Sequence, residues 1–229
     1  MDASFRHVAD FGLLVVFSNS YSDAAHDAVL ALDRRLSQDL PVGVTELVPA
    51  MVNLMVVFDP IQTDHATVQA AVEQRLNDLS STSMDGKTCT VDVCYEGDFA
   101  PDLDAVAKAT GLTRDAVINI HLSGEYPVLM FGFAPGYGYM GGVPDAIQLP
   151  RKLAAVPDRP AGSVMIAGAQ CLVTTLVMPA GWYVIGRSPT PILTGVEDAP
   201  TLFGVGDCVR FNRISQAEFD TLSKATHHG

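Results

Sequence analysis

Apolar positions in the first third of the chain alternate between two periods. Two short β-prone runs, from Ser4 to Ala9 and from Leu13 to Phe17, are parted by Asp10 and Gly12, which predicts two strands with a tight link. Ala25, Ala28, Val29, Leu32 and Leu36 then return every three or four residues behind a cap at Ser22 or Asp23, a helical face that Pro41 ends. Two further strands follow, from Gly43 to Val48 and from Met51 to Phe58. Thr63 or Asp64 caps a second helix with Val68, Ala71, Val72, Leu76 and Leu79 on one face. Together these predict a small sheet with two helices on one side.

Periodicity is lost over 80–87, a run of small polar residues with the composition of a connection. The expected division is a small α+β domain over 1–84 and a second domain over 85–229. In the latter, a strand from Thr88 to Tyr95 leads to a helix from Leu103 to Ala109 ended by Gly111, and Thr113 caps another carrying Ala116, Val117 and Ile120. From Tyr126 onward, β-prone runs begin at Val128, Ser163, Leu172, Trp182 and Cys208 and alternate with Gly/Pro turns, the pattern of a closed or sandwich-like β domain.

Composition narrows the functional classes. Of 229 residues, 48% are apolar and only 17% charged, against about 25% charged in ordinary soluble domains. The surface is lightly charged, as expected where a partner covers part of it. Acidic residues outnumber basic ones 26 to 14, a net charge of -12, which repels phosphate backbones and anionic lipid. The longest aliphatic or aromatic run, Leu13 to Phe17, is far short of the ~20 residues that span a bilayer. Asp2, Arg6, His7 and Asp10 precede it where a secretory leader would be basic and then apolar, so a cytoplasmic location is expected. Cys89, Cys94, Cys171 and Cys208 form no CxxC or Cys/His ligand spacing and read as free thiols, and no dedicated metal site is expected.

The densest chemical feature is the loop from Gly132 to Gly142, with five glycines and three aromatics in eleven positions. Such a loop lets a ligand reach backbone amides between aromatic faces, and it serves equally as a turn cluster of a β domain. It lacks the GK[ST] of a phosphate-binding loop. His121, Tyr126, Arg151, Ser163, Gln170 and Arg187 are polar groups that could converge on it. His121 ends an amphipathic helix, where it either shuttles protons or serves the helix dipole. The two arginines suit a carboxylate or phosphate, or else solvent and internal ion pairs. Ser163 is not in a GxSxG elbow, Cys171 has nothing near it in sequence to lower its pKa, and no acidic pair suggests glycosidase chemistry.

Several strings in register carry a likeness: Gly132-Phe133-Ala134-Pro135-Gly136-Tyr137, Leu149-Pro150-Arg151, Pro160-Ala161-Gly162-Ser163-Val164, Gly181-Trp182, Ile185-Gly186-Arg187-Ser188-Pro189 and Gly206-Asp207-Cys208-Val209-Arg210-Phe211. With Gly43-Val44-Thr45-Glu46 and Asn53-Leu54-Met55 in the first third, the chain resembles the family of the 5-oxoprolinase B-type subunit, KipI and allophanate hydrolase subunit 1. The resemblance implies an α+β N-terminal domain followed by a mainly-β cyclophilin-like barrel domain. It implies a chain inactive alone that pairs with a second cyclophilin-like subunit and a lactam-utilisation-type subunit to open 5-oxo-L-proline to L-glutamate with ATP. A KipI-like inhibitor of a sensor histidine kinase and an allophanate- or urea-processing subunit share the same resemblance. The matched positions make His121, Arg151, Gln170 and Arg187 the candidate catalytic residues. Candidate ligand contacts are Tyr126, Phe133, Pro135, Gly136, Gly138, Tyr139, Ser163 and Cys171, with the amides of Gly136 and Gly138 facing developing negative charge. Where the family commonly has Gln-Thr-Gly-Ile-Tyr-Pro, this chain has Gln170-Cys171-Leu172-Val173-Thr174-Thr175.

Overall fold

The computed structural model describes residues 3–77 and 86–226. The chain divides into two compact units, Met1–Asp85 and Gly86–Gly229, and most of the polar connection at 80–87 lies outside the described residues. In the first unit, β1 (Ser4–Val8), β2 (Gly12–Val16), β3 (Val44–Pro49) and β4 (Asn53–Phe58) form a four-stranded antiparallel sheet in the order β1-β2-β4-β3. Two helices, α1 (Asp23–Gln38) and α2 (His65–Asn77), cover it. The Ser22 hydroxyl accepts from the Ala25 amide at 3.2 Å and starts α1, and an Asp64 carboxylate oxygen accepts from the Thr67 amide at 2.8 Å ahead of α2. Strand alternation turns Leu13, Val15, Leu54, Val56 and Phe58 to one side, where they share a buried cluster with Val29, Leu32, Leu36, Val68 and Val72. Both helices therefore lie on one face of the sheet.

The second unit opens with β5 (Thr88–Cys94), α3 (Leu103–Thr110), α4 (Arg114–Ser123), β6 (Tyr126–Phe131) and β7 (Gly138–Met140). It continues with β8 (Val156–Arg159), β9 (Ser163–Ala167), β10 (Gln170–Val173), β11 (Met178–Ala180) and β12 (Tyr183–Arg187). The last elements are β13 (Leu193–Val196), β14 (Ala199–Thr201), β15 (Cys208–Ile214) and α5 (Gln216–Thr226). Seven strands close a barrel in the order β10-β7-β6-β15-β5-β12-β9, with β9 returning to β10. Only β15 and β5 run parallel, a pairing that needs the long crossover through the rest of the unit. Alternation fills the interior with Val91, Val93, Val128, Met140, Val164, Ile166, Cys171, Ile185, Val209 and Phe211, and α3 and α4 add Leu103, Val106, Val117 and Ile118 to the same cluster. Gly111, at φ 71°, ends α3, and the Thr113 hydroxyl accepts from the Ala116 amide at 3.2 Å to start α4.

The unit is thus the barrel domain expected after an α+β unit, with two departures in detail. The apolar run from Leu172 to Val177 is not one strand. β10 stops at Val173: the Thr174 amide still donates to the Ser163 carbonyl at 3.0 Å, but the Ser163 amide turns to the Thr174 hydroxyl at 2.9 Å, and that hydroxyl donates to the Pro160 carbonyl at 2.8 Å. The chain re-pairs only at β11, with β8. The second departure is α5, set by a reciprocal capping box: the Ser215 amide donates to Glu218 Oε2 at 2.8 Å, and the Glu218 amide donates to Ser215 Oγ at 3.3 Å. Among the described residues no helix is long and apolar enough to cross a membrane.

Candidate functional site

The candidate residues fall in three places within the second unit. The first is the sealed barrel interior. His121, near the end of α4, is 0% exposed. Its Nδ1 lies 2.8 Å from the Tyr95 hydroxyl and its Nε2 3.7 Å from Cys171 Sγ, while the Tyr126 hydroxyl donates to its carbonyl at 2.7 Å. Phe211 stacks on the ring with centroids 4.6 Å apart. Tyr95, His121 and Cys171 thus have the connectivity of an orienter, a base and a nucleophile, but burial drives each the wrong way. Desolvation holds the imidazole down to about 3 and pushes the Cys171 thiol well up, so the ring stays neutral and the thiolate is not populated. The structure thus places His121, Tyr126 and Cys171 inside the closed barrel, out of solvent and apart from the other candidate residues.

The second place is the outer face of the barrel over β7, β10 and β9. The extended segment Leu149-Pro150-Arg151 is tethered on both sides: the Gly168 amide donates to the Leu149 carbonyl at 2.7 Å, and the Lys152 amide donates to the Gly181 carbonyl at 2.8 Å. These tethers set the Arg151 guanidinium 5.3 Å from the Trp182 ring centroid. From Trp182 an aromatic chain runs through Tyr139 (6.0 Å), Tyr137 (5.4 Å) and Phe133 (5.4 Å). Burial, then Tyr139, pushes the Tyr137 phenol up to about 12, with Arg151 pulling the other way. Tyr137 is therefore a hydrogen-bond donor at neutral pH. Gln170 heads β10 with the outward parity of Leu172, opposite to Cys171. Trp182 is both a buried member of the outer core and the platform for Arg151.

The glycine-rich loop borders this face. Phe133 is 76% exposed and holds a left-handed backbone at φ 72°, a conformation a bulky residue adopts only under constraint. Pro135 is exposed, and its carbonyl accepts from the Thr175 hydroxyl at 2.7 Å. Gly136 sits at φ 68°, a left-handed backbone that favours glycine, with Leu193 Cδ2 2.7 Å from where a Cβ would stand. Its amide makes no hydrogen bond among the described residues. The Gly138 amide, by contrast, already donates to the Gly136 carbonyl at 3.0 Å.

The third place lies at the end of β12. Arg187 donates from Nε to the Ala161 carbonyl at 3.1 Å and has no carboxylate within ion-pair distance among the described residues. Ser163 starts the adjacent β9 and is buried, its hydroxyl donating to the Pro160 carbonyl at 2.7 Å, where it braces the strand. The structure thus lines up Arg151, Trp182, Tyr139, Tyr137 and Phe133 and puts Gln170 on the outward side of β10, while Pro135 and Gly136 rest on Thr175 and Leu193, which line the cavity beside Arg187. Sequence reading missed Asp102, whose Oδ2 accepts from Lys152 Nζ at 2.7 Å and the Val184 amide at 2.8 Å with Arg159 Nη2 at 3.6 Å. It braces the segment that carries Arg151, and no motif marks it. Among the described residues no group of three or more His, Cys, Asp or Glu side chains is placed to hold a metal ion.

A cation on an aromatic wall is chemistry that suits a small planar acid or amide, and it supplies no nucleophile of its own. A closed barrel after an α+β unit is the architecture of a carboxyltransferase-type domain. Residues 3–203 match the model of the carboxyltransferase domain, subdomain C and D, and the chain belongs to that family. The B-type subunit of 5-oxoprolinase from Bacillus subtilis (strain 168) is 34% identical over 233 residues, covering 97% of this chain and 97% of its own length. Among solved structures, TTHA0988 aligns with a TM-score of 0.78 at 30% identity, covering 89% of this chain and 40% of its own. The urea amidolyase of K. lactis aligns with a TM-score of 0.79 over 99% of this chain and 16% of its own, a likeness of fold alone at 15% identity.

Proposed function

We propose that this chain is the B-type subunit of a cytoplasmic, ATP-dependent 5-oxoprolinase that opens 5-oxo-L-proline to L-glutamate. The observation that carries this reading is the 34% identity with the B-type subunit of a 5-oxoprolinase, sustained over 97% of both chains. A lactam amide is a poor electrophile, and transfer of a phosphoryl group from ATP to its oxygen makes a centre that water attacks. The groups on the outer face suit the steps around that chemistry. Arg151 pairs with a carboxylate or phosphoryl oxygen, Gln170 orients the lactam amide, and the Gly136 N–H donates to the oxygen that gains charge. None of these is a nucleophile, which accords with a chain that works only when assembled with a second cyclophilin-like subunit and a lactam-utilisation-type subunit.

Apolar side chains left in solvent support the assembly. Phe133, Leu176, Val177, Leu193 and Val196 are all exposed in the second unit, where a lone soluble domain with so little charge would hide them. The test is co-purification of the chain with both partners, followed by an assay of ATP-dependent glutamate release from 5-oxo-L-proline. Turnover by the assembly supports the reading, and an assembly that forms but leaves 5-oxo-L-proline intact overturns it.

A further inference from the structure

A cavity of about 420 Å³ opens beside the last residue of β12, walled by Arg187, Ser188, Ile192 and Leu193 and closed on one side by Phe219 and Ser223 of α5. Arg187 is its only charged lining residue among those described. The Nε bond to Ala161 and a distance of 5.8 Å from the guanidinium carbon to the Phe219 ring centroid fix the plane of the group. Its terminal nitrogens, Nη1 and Nη2, make no hydrogen bond and no ion pair among the described residues. In a chain of net charge -12, a half-buried guanidinium with no carboxylate within ion-pair distance among the described residues is open to an anion.

The rest of the wall narrows the kind of anion. Ser188 Oγ already accepts from the Thr190 amide at 3.1 Å, and Thr190 Oγ1 accepts from the Asp92 amide at 3.1 Å, so each hydroxyl keeps its own hydrogen to donate. Ile192, Leu193 and Phe219 offer apolar surface to whatever is attached to the charge. A single cation among hydroxyls and hydrocarbon fits a compact monoanion with an apolar body better than a dianionic phosphate. We infer that this cavity binds a small monocarboxylic acid, its carboxylate paired end-on with Nη1 and Nη2 of Arg187 and its ring or short chain laid on Ile192, Leu193 and Phe219. The α5 wall lies beyond residues 3–203 that match the family. The cavity carries this independently of the 5-oxoprolinase reading, although 5-oxo-L-proline is one acid of the class.

Calorimetric titration of the full chain tests it with four probes: 5-oxo-L-proline, cyclopentanecarboxylate, cyclopentanecarboxamide and inorganic phosphate. Saturable binding of at least one of the two acids, with none of the carboxamide, is expected. Arg187→Gln should weaken that binding by about tenfold or more, as loss of a charge-assisted fork does. Ser223→Phe fills the cavity from a half-buried helix position and should abolish binding while leaving the melting temperature within a few degrees, which separates loss of the site from loss of the fold. Failure of both acids to bind, equal binding of the carboxamide, tighter binding of phosphate, or unchanged affinity in both variants would overturn the site. Binding of cyclopentanecarboxylate alongside an assembly inert toward 5-oxo-L-proline would support the site and remove only the functional reading.

Discussion

The Tyr95 hydroxyl and Nδ1 of His121 lie 2.8 Å apart inside the barrel of the second unit, with both side chains withdrawn from solvent. That bond decides what the histidine is for. A ring desolvated on every side and paired with a phenol is held neutral, and its worth is to satisfy Tyr95 while filling space under Phe211.

Replacing His121 by Ala orphans the Tyr95 hydroxyl and empties a packed volume, so a loss of about 3 kcal/mol or more is expected in urea unfolding. The pH dependence follows from the pKa held down to about 3. Between that value and the ordinary 6.5, the unfolded chain binds a proton that the folded chain refuses, so the wild type loses stability as pH falls, by up to ~1.4 kcal/mol per pH unit. The advantage of wild type over His121→Gln should therefore be full above pH 6.5 and shrink toward pH 4. A gap that stays constant over this range would mean the imidazole titrates normally.

Thiol chemistry gives a second check. Cys171 and Cys94 are buried, with burial raising both thiols, while Cys89 and Cys208 are partly exposed. Iodoacetamide at pH 8 followed by peptide mass spectrometry should label Cys208 and Cys89 ahead of Cys171 and Cys94, with all four labelled in urea. Rapid labelling of Cys171 in the folded chain would show that the barrel interior is reachable after all.

Asp102 should prove a stability residue that also governs the outer face. It is 14% exposed and faces two cations, Lys152 and Arg159, besides the Val184 amide. Asp102→Ala strands both charges and is expected to cost about 2–4 kcal/mol. Asp102→Asn keeps the bond to Val184 and should cost less. Equal melting temperatures for wild type and Asp102→Ala would show that the ion pairs carry nothing.

Arg151 is exposed and touches Trp182 but no carboxylate among the described residues. Arg151→Ala is therefore expected to leave the melting temperature within about two degrees while lowering turnover of the assembled enzyme ~10²-fold, the usual loss when a donor to developing charge is removed. Turnover within a few-fold of wild type would take Arg151 out of the site.

Much of this architecture is legible in the sequence, and the exceptions have physical causes. Caps and periods locate α1, α2, α3 and α4, because Ser22, Asp64, Thr113 and Gly111 act within one turn of chain. Closure of the barrel is not legible, since it depends on β15 pairing with β5 across the length of the unit. α5 is readable in principle from Ser215 and Glu218, but of its side chains only Phe219 reaches the core, which leaves a weak apolar period. That helix supplies Phe219 and Ser223 to the Arg187 cavity. Sequence alone groups the candidate residues as one constellation where there are three places. Strand parity explains part of the split: Cys171 points into the barrel and Gln170 out of it, although they are neighbours in sequence. In sequence His121 reads as a proton shuttle or as a helix-dipole residue, because sequence does not report the burial that sets its chemistry.

The most direct test of the account is a reconstitution in which the assembled subunits are supplied with 5-oxo-L-proline and ATP, with and without this chain, while glutamate and ADP are measured together. Glutamate should appear with matching ADP only when this chain is present, and Arg151→Ala should depress both. Glutamate release at the same rate without the chain, or none with the chain assembled, would contradict it.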